Sequence, residues 1–259
     1  MNFLLRYLRY LVYSKNLHGI HSPFVYSLVK DIIYSKYSKP KAFDAIESIR
    51  QAYKKDFSPI DNLDYGAASK FGTGQNTISR VCYRSAKSKK YAQLLFRLAK
   101  WHNPDYAIEL GTSLGISAMY QATGFSENTQ FTTIEGHPGI ALKAENAMKA
   151  INIKHVNIVT GNFNHELPKL LANLPQVDWV FFDGNHKKAP TLQYFEQCLA
   201  KASKNALFIF DDINWSDEMR QTWIELKKHP KVFITIDLFF MGLVFLNPRE
   251  QKEQFTIRF

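Results

Sequence analysis

Cysteine is scarce in this 259-residue chain: Cys82 and Cys198 are the two, and they form no C-x-x-C pair. That excludes a disulfide-stapled scaffold and a cysteine-rich metal or redox centre, and it reads as reduced thiols in a cytoplasmic protein. No apolar run reaches the ~20 residues that a membrane-spanning helix needs. The opening stretch Met1–Tyr13 is apolar and aromatic, but Arg6 and Arg9 interrupt it. It lacks a small-residue cleavage site, so it does not read as a signal peptide. The chain has no Gly-Gly pair, hence no His-Gly-Gly-Gly oxyanion loop. Acidic residues are short in one region only. Residues 1–90 hold 16 Lys and Arg against 6 Asp and Glu, whereas residues 91–259 hold 17 of each. The net charge of +10 therefore belongs to the N-terminal third. Such asymmetry suits an anionic partner, such as a membrane surface, or simply a solvated basic appendage. Nucleic acid fits less well, because the basic residues are not interleaved with aromatics as in an RNA-binding module.

A hydrophobic content of 46%, with 14% aromatic residues, is enough for a packed core. The pattern suggests two parts: a basic helical extension over 1–90, and an α/β domain over 91–259. In the extension, an apolar helix spans about 2–14. It either packs on the body or lies in a membrane interface. Ser22 and Pro23 start a second helix that runs to about Tyr34. A third runs from about Lys41 to Lys55. Gly66, Gly72 and Gly74 then mark a lid-like loop or a linker. His18 and His21 have no cysteine or further histidine near them and suit a loop or cap better than a metal site.

From Tyr91 onward, helices alternate with short apolar runs at Ala107–Leu110, Phe131–Glu135, Val156–Thr160, Val177–Phe182 and Ala206–Phe210. Val232–Phe240 and Leu243–Leu246 then flank Met241-Gly242, a hairpin signal. Five βα units and a hairpin imply seven strands, mostly parallel and covered by helices on both faces.

The stretch Glu109-Leu-Gly111-Thr112-Ser113-Leu-Gly115 sits at the first strand-to-helix turn and allows three chemical readings. It matches the G-x-S-x-G nucleophile elbow of hydrolases. It loosely resembles a dinucleotide turn but lacks the middle glycine. It also suits a turn that wraps an anionic ligand group, since glycines let the backbone approach and a helix start presents free N–H groups. An ordinary turn is the fourth possibility. The polar residues beyond the strand ends weigh toward a ligand: Glu109, Glu135, Asn162, Asp183, Asp211 and Asp212 all fall where open α/β sheets bind their ligands. The hydrolase reading loses ground because no convincing sheet precedes Tyr106.

Residues 91–259 resemble the class I methyltransferases dependent on S-adenosyl-L-methionine (SAM). The Glu-x-Gly-x-x-x-Gly turn looks like their first motif, which implies that Glu109, Gly111, Thr112, Ser113 and Gly115 hold the methionine part of the cofactor. Glu135 stands where the family keeps an acid for the ribose hydroxyls, and Asn162 and Phe163 where it contacts adenine. A narrower resemblance is to the metal-dependent catechol and caffeoyl-CoA-type O-methyltransferases. They carry Gln-x-Leu before the first motif, here Gln93-Leu-Leu95. They hold a cation with an Asp ending the fourth strand and an Asp-Asn pair ending the fifth. Asp183 and Asp211-Asp212 stand in those places, with Asp for Asn. The resemblance implies Mg²⁺ or Mn²⁺ there, a contact of Asp183 with the cofactor, and a catalytic role for Asp183. Val180-Phe-Phe-Asp183-Gly-Asn-His186 also resembles the D-G-x-H signature of related small-molecule methyltransferases. The catechol-type enzymes keep a lysine base three residues after the strand-four aspartate. His186 occupies that position, and an imidazole with an ordinary pKa near ~6.5 can accept a proton at neutral pH. Lys187 and Lys188 are fallback bases.

The expected function is methyl transfer to a hydroxyl of a small-molecule acceptor, with divalent-metal assistance. The expected place is the cytoplasm or the membrane periphery, and a homodimer is allowed. The alternatives are a metal-free enzyme acting on RNA or a membrane-associated acceptor, and the weaker hydrolase.

Overall fold

The computed structural model describes residues 3–37, 39–60, 76–247 and 251–259. The glycine-bearing loop at Gly66, Gly72 and Gly74 lies outside the described residues. The principal strands are β1 (Tyr106–Leu110), β2 (Gln130–Glu135), β3 (Val156–Thr160), β4 (Val177–Phe182), β5 (Ala202–Asp211), β6 (Ile234–Asp237), β7 (Met241–Phe245) and β8 (Glu253–Thr256). They form one mostly parallel sheet in the order β8-β6-β7-β5-β4-β1-β2-β3. The seven expected strands are present, and β8 adds an eighth, parallel to β6 at the edge. Its Glu-Gln-Phe-Thr sequence is half-exposed and carries little apolar signal.

The chain divides into two compact units, residues 1–36 with 171–259, and residues 37–170. The basic N-terminal third is thus shared between both. Among the described residues, no helix is long and apolar enough to cross a membrane.

The first unit contains α1 (Phe3–Tyr13), α2 (Pro23–Leu28), α9 (Lys188–Leu199), α10 (Asp217–Lys228) and strands β4 to β8. Every residue of β4 is buried, as a parallel strand covered on both faces requires. Trp179, Phe181, Phe208 and Phe210 are fully buried, and the Phe182 and Phe210 rings stack with centroids 4.3 Å apart. Each such side chain stabilises the fold by roughly 1.5–3 kcal/mol through removal of apolar surface from water. Ser216 caps α10 by accepting from the Met219 N–H at 3.1 Å, and Lys227 and Lys228 suit the negative end of its dipole.

The hairpin register differs from the expectation. Met241 and Gly242 lie inside β7, and the turn is Leu238–Phe240. A Cβ on Gly242 would sit 2.6 Å from the Trp223 ring, so this glycine serves close packing and not a turn. The turn is instead made by Phe239 at φ 72. Asp237 accepts its N–H at 2.8 Å, and Asn214 donates to its carbonyl at 2.9 Å. The Phe239 ring meets Phe3, Tyr7 and Tyr10 of α1 at centroid distances of 5.4, 4.9 and 5.2 Å. Aromatic contact offsets the left-handed backbone.

The second unit holds α3 (Ala42–Lys54), α4 (Ile78–Ser85), α5 (Lys89–His102), α6 (Ile116–Gly124), α7 (Pro138–Ala150), most of α8 (Phe163–Asn173) and parallel strands β1 to β3. Helix α4 stands in the region read from sequence as loop. It has a Thr77 cap and buries Ile78, Val81 and Cys82. The Phe43, Phe96 and Tyr120 rings, on α3, α5 and α6, form an aromatic cluster in this unit, with Phe43 4.5 Å from Tyr120.

Candidate active site

In the second unit, β1 ends at Leu110 and the chain turns at Gly111, with φ 104. A side chain at that φ is strained, so glycine is required. The Gly111 and Thr112 N–H groups donate to the Ile134 carbonyl at 2.9 and 3.2 Å, which ties the turn to β2. Ser113 has φ 47, and its N–H donates to Glu135 Oε2 at 2.7 Å. Gly115 has φ 79 and caps α6, and a Cβ there would meet Ala144 and Met148 at 3.1 Å. Both glycines are therefore fixed by backbone geometry, and the first turn of α6 starts directly beyond them with its unpaired N–H groups.

The structure places Glu109 inside the protein, fully buried. Its Oε1 accepts from Gln121 Nε2 at 2.8 Å and its Oε2 from Thr133 Oγ1 at 2.7 Å. Thr112 joins the network through Thr133, hydroxyl to hydroxyl at 2.6 Å. Glu109 thus holds the turn against α6 and β2, a role its motif position alone does not reveal. Gln121 and Thr133 were not read from sequence as part of this network, since they lie 12 and 24 residues away.

Burial raises Glu109 to about 7, against hydrogen bonds from Ser117, Thr133 and Gln121 that favour the anion. The folded carboxyl keeps its proton at pH values where the unfolded one, near ~4.3, has lost it. Its contribution to stability is full below the unfolded value and is lost as pH rises through about 7. Glu109→Gln should flatten that limb by on the order of 3 kcal/mol relative to the parent. Urea unfolding across a pH series checks it, and parallel curves for the two proteins would contradict it.

Glu135 ends β2. Burial raises its pKa, while N–H groups of His137 and Ser113 oppose that rise. Its two oxygens each accept one of these N–H groups, at 2.9 and 2.7 Å, leaving further lone pairs for a ligand's hydroxyls. After β3, Gly161 has φ 157, and Asn162 Oδ1 accepts from the Asn164 N–H at 2.9 Å as α8 begins at Phe163. Asn162 is thus a helix-start residue, and Phe163 beside it is half-buried. On α5, Gln93 has a buried Nε2 with no hydrogen-bond partner among the described residues.

In the first unit, Asp183 follows β4 and Asp211 ends β5; these strands pair in parallel. Asp183, His186 and Asp211 each offer one donor atom, all within 4.8 Å of one another. Asp211 is 1% exposed. His186 Nε2 lies 3.7 Å from Asp183 Oδ1, beyond hydrogen-bond length. The loop between them turns at Asn185, φ 51, whose side chain donates to Tyr194 Oη at 3.2 Å. Asp212 is not in this group. It has left the extended backbone, with φ 53. Two of the three expected aspartates thus share the group, with His186 beside them. Lys188 is held by Glu225 at 2.6 Å, which disfavours it as a base, and Lys187 is exposed.

Residues 108–213 match the family model described as a methyltransferase domain. The catechol O-methyltransferase of Niastella koreensis is 30% identical over 131 residues, which is 50% of this chain and 57% of that protein. The chain therefore spans little more than half the length of that curated relative. Among solved structures, the O-methyltransferase of Bacillus cereus in complex with SAH aligns at a TM-score of 0.57 and 18% identity, over 85% of this chain and 96% of that one. The O-methyltransferase TomG of Streptomyces achromogenes, involved in tomaymycin synthesis and solved with SAM, aligns at 0.59 and 17% identity, over 86% and 95%. The SAH-bound methyltransferase PaMTH1 of Podospora anserina aligns at 0.60 and 14%, over 91% and 98%. At these identities the likeness establishes the fold. Residues 108–213 of this chain match a methyltransferase-domain model, and the chain takes the fold of these solved O-methyltransferases.

Proposed function

We propose that the protein is a SAM-dependent methyltransferase that moves a methyl group to a hydroxyl of a small molecule, assisted by a divalent cation. The observation that carries this reading is the grouping of Asp183, His186 and Asp211 at the ends of paired strands, in a chain whose other unit holds the glycine turn. Two carboxylates that close together repel unless a cation or proton lies between them. Carboxylate oxygens suit Mg²⁺ or Mn²⁺, and an added imidazole favours Mn²⁺. The donor set therefore fits a cation held by Asp183 and Asp211. When bound, the cation would draw the acceptor oxygen and lower its pKa.

The chain's own residues would do the rest. The N–H groups at the start of α6, with Ser113, would bind the methionine carboxylate of SAM, and Glu135 would accept from the ribose hydroxyls. Asn162 and Phe163 would flank the adenine. His186 would take the acceptor's proton on its ring nitrogen, with the Asp183 carboxylate stabilising the imidazolium. A second reading makes His186 a third ligand, and the shared 4.8 Å grouping favours it.

The test has two parts. Calorimetry with SAH should show one site, and Gly111→Val should weaken it about five- to a hundredfold, because a β-branched residue at φ 104 costs about 1–3 kcal/mol. Radiolabelled methyl transfer from SAM to a panel of catechols and other phenols should then stop with chelator present. Saturable NAD binding without a response to SAH would sink the reading. Full transfer in chelator would leave a metal-free methyltransferase.

A further inference from the structure

Helix α1 turns an aromatic face and one arginine inward and leaves an aliphatic stripe exposed. A surface helix ordinarily buries its apolar stripe and exposes its charges. Here Arg6 and Tyr10 are the buried residues, each 6% exposed, while Leu5, Leu8 and Val12 are 55, 48 and 76% exposed. The orientation is fixed by polar contacts within the first unit. Arg6 donates to the Asn214 carbonyl at 3.0 Å and pairs with Asp217. Tyr10 Oη donates to the Ile257 carbonyl at 2.6 Å and accepts from the Phe259 N–H at 2.8 Å. Rolling the helix to hide its leucines would break all of these, so the exposed stripe is a specified feature of the fold.

We propose that this stripe docks the protein on an anionic membrane surface. Leu5, Leu8 and Val12 share one helix face with Arg9, at spacings of three and four residues. Arg9 is exposed and lies over the Tyr13 ring, 5.6 Å from its centroid. Exposed Lys15 follows the helix, and exposed Arg258 donates to the Leu11 carbonyl and to Ser14 at the helix end. No acidic residue precedes Asp31. An apolar stripe edged by cations inserts among acyl chains while its charges meet lipid phosphates. A second copy of this chain is the less suitable occupant. Contact through the same stripe would bring together two Arg9 guanidiniums with no acid on the face to neutralise them. The proposal does not depend on the enzymatic reading.

The experiment is co-sedimentation of the full chain with two kinds of vesicle, phosphatidylcholine alone and phosphatidylcholine with phosphatidylglycerol. The protein should be retained by the anionic vesicles and released as salt rises, since exposed charges are screened beyond ~8 Å at physiological ionic strength. Arg9→Glu should weaken retention about fivefold or more. The triple variant Leu5→Ser, Leu8→Ser, Val12→Ser should weaken it roughly a hundredfold. Both variants leave the Arg6 and Tyr10 contacts in place, and their thermal unfolding should match the parent. Failure of the parent to bind anionic vesicles, or equal binding by the triple variant, overturns the proposal. A parent that is dimeric in solution, made monomeric by the triple variant and never held by vesicles, would assign the face to a second copy instead.

Discussion

His186→Ala is expected to lower kcat by roughly 10²–10⁴ while SAH affinity stays near that of the parent. Methyl transfer from a sulfonium needs an oxygen nucleophile, and a hydroxyl is poor until its proton leaves. His186 sits on the loop after β4, its ring nitrogen 3.7 Å from Asp183 and grouped with Asp211. The other nitrogen bases nearby are less suitable. Lys188 is engaged by Glu225, and Lys187 is exposed. If imidazole is the base, the acidic limb of the kcat profile disappears in His186→Ala and in His186→Gln. Mn²⁺ titration then separates base from ligand. A base can be removed with metal affinity intact, whereas a ligand takes that affinity with it. Near-normal kcat with an unchanged limb would show that the proton leaves by another route.

Much of the fold was legible because a parallel sheet covered on both faces demands continuous apolar runs. Val177–Phe182, with all six residues buried, is such a run. The strand ends were legible for the same reason, since a carboxylate closing an apolar run stands out. What sequence could not supply was long-range partnership. Arg6 looks like an interruption in an apolar helix until Asn214 and Asp217 are found beside it, 208 and 211 residues away. The hairpin turn was misplaced because glycine has two uses. Gly242 accommodates the Trp223 ring, while Phe239, a residue with no turn signal, takes the left-handed conformation. The candidate cation site shows both sides. Asp183 and Asp211 were readable from position. That His186 joins them follows from the loop turning at Asn185, which no motif records.

Asp211→Asn is expected to abolish Mn²⁺ binding, leave SAH binding unchanged, and make the metal-free protein more stable. Asp211 is 1% exposed and its carboxylate shares a 4.8 Å grouping with Asp183. With no cation between them, two carboxylates at that range oppose folding, and neutralising one relieves the repulsion at nearly constant volume. A gain of about 1 kcal/mol is the scale for a partly screened pair. With a cation present the sign reverses. A ligand that binds only the folded state stabilises it by about 2.7 kcal/mol at a hundredfold excess over Kd. Parent Tm should therefore climb with Mn²⁺ concentration, and the variant should start higher and stay flat. The SAH arm keeps the two units apart, because Gly111, Ser113 and Glu135 lie in residues 37–170 and Asp211 in residues 171–259. Thermal unfolding at fixed SAH across a Mn²⁺ series reads all three effects at once. Equal Mn²⁺-dependent rises in Tm for parent and variant would place the cation elsewhere, and a variant less stable without metal would mean that Asp211 is held by contacts worth more than the repulsion.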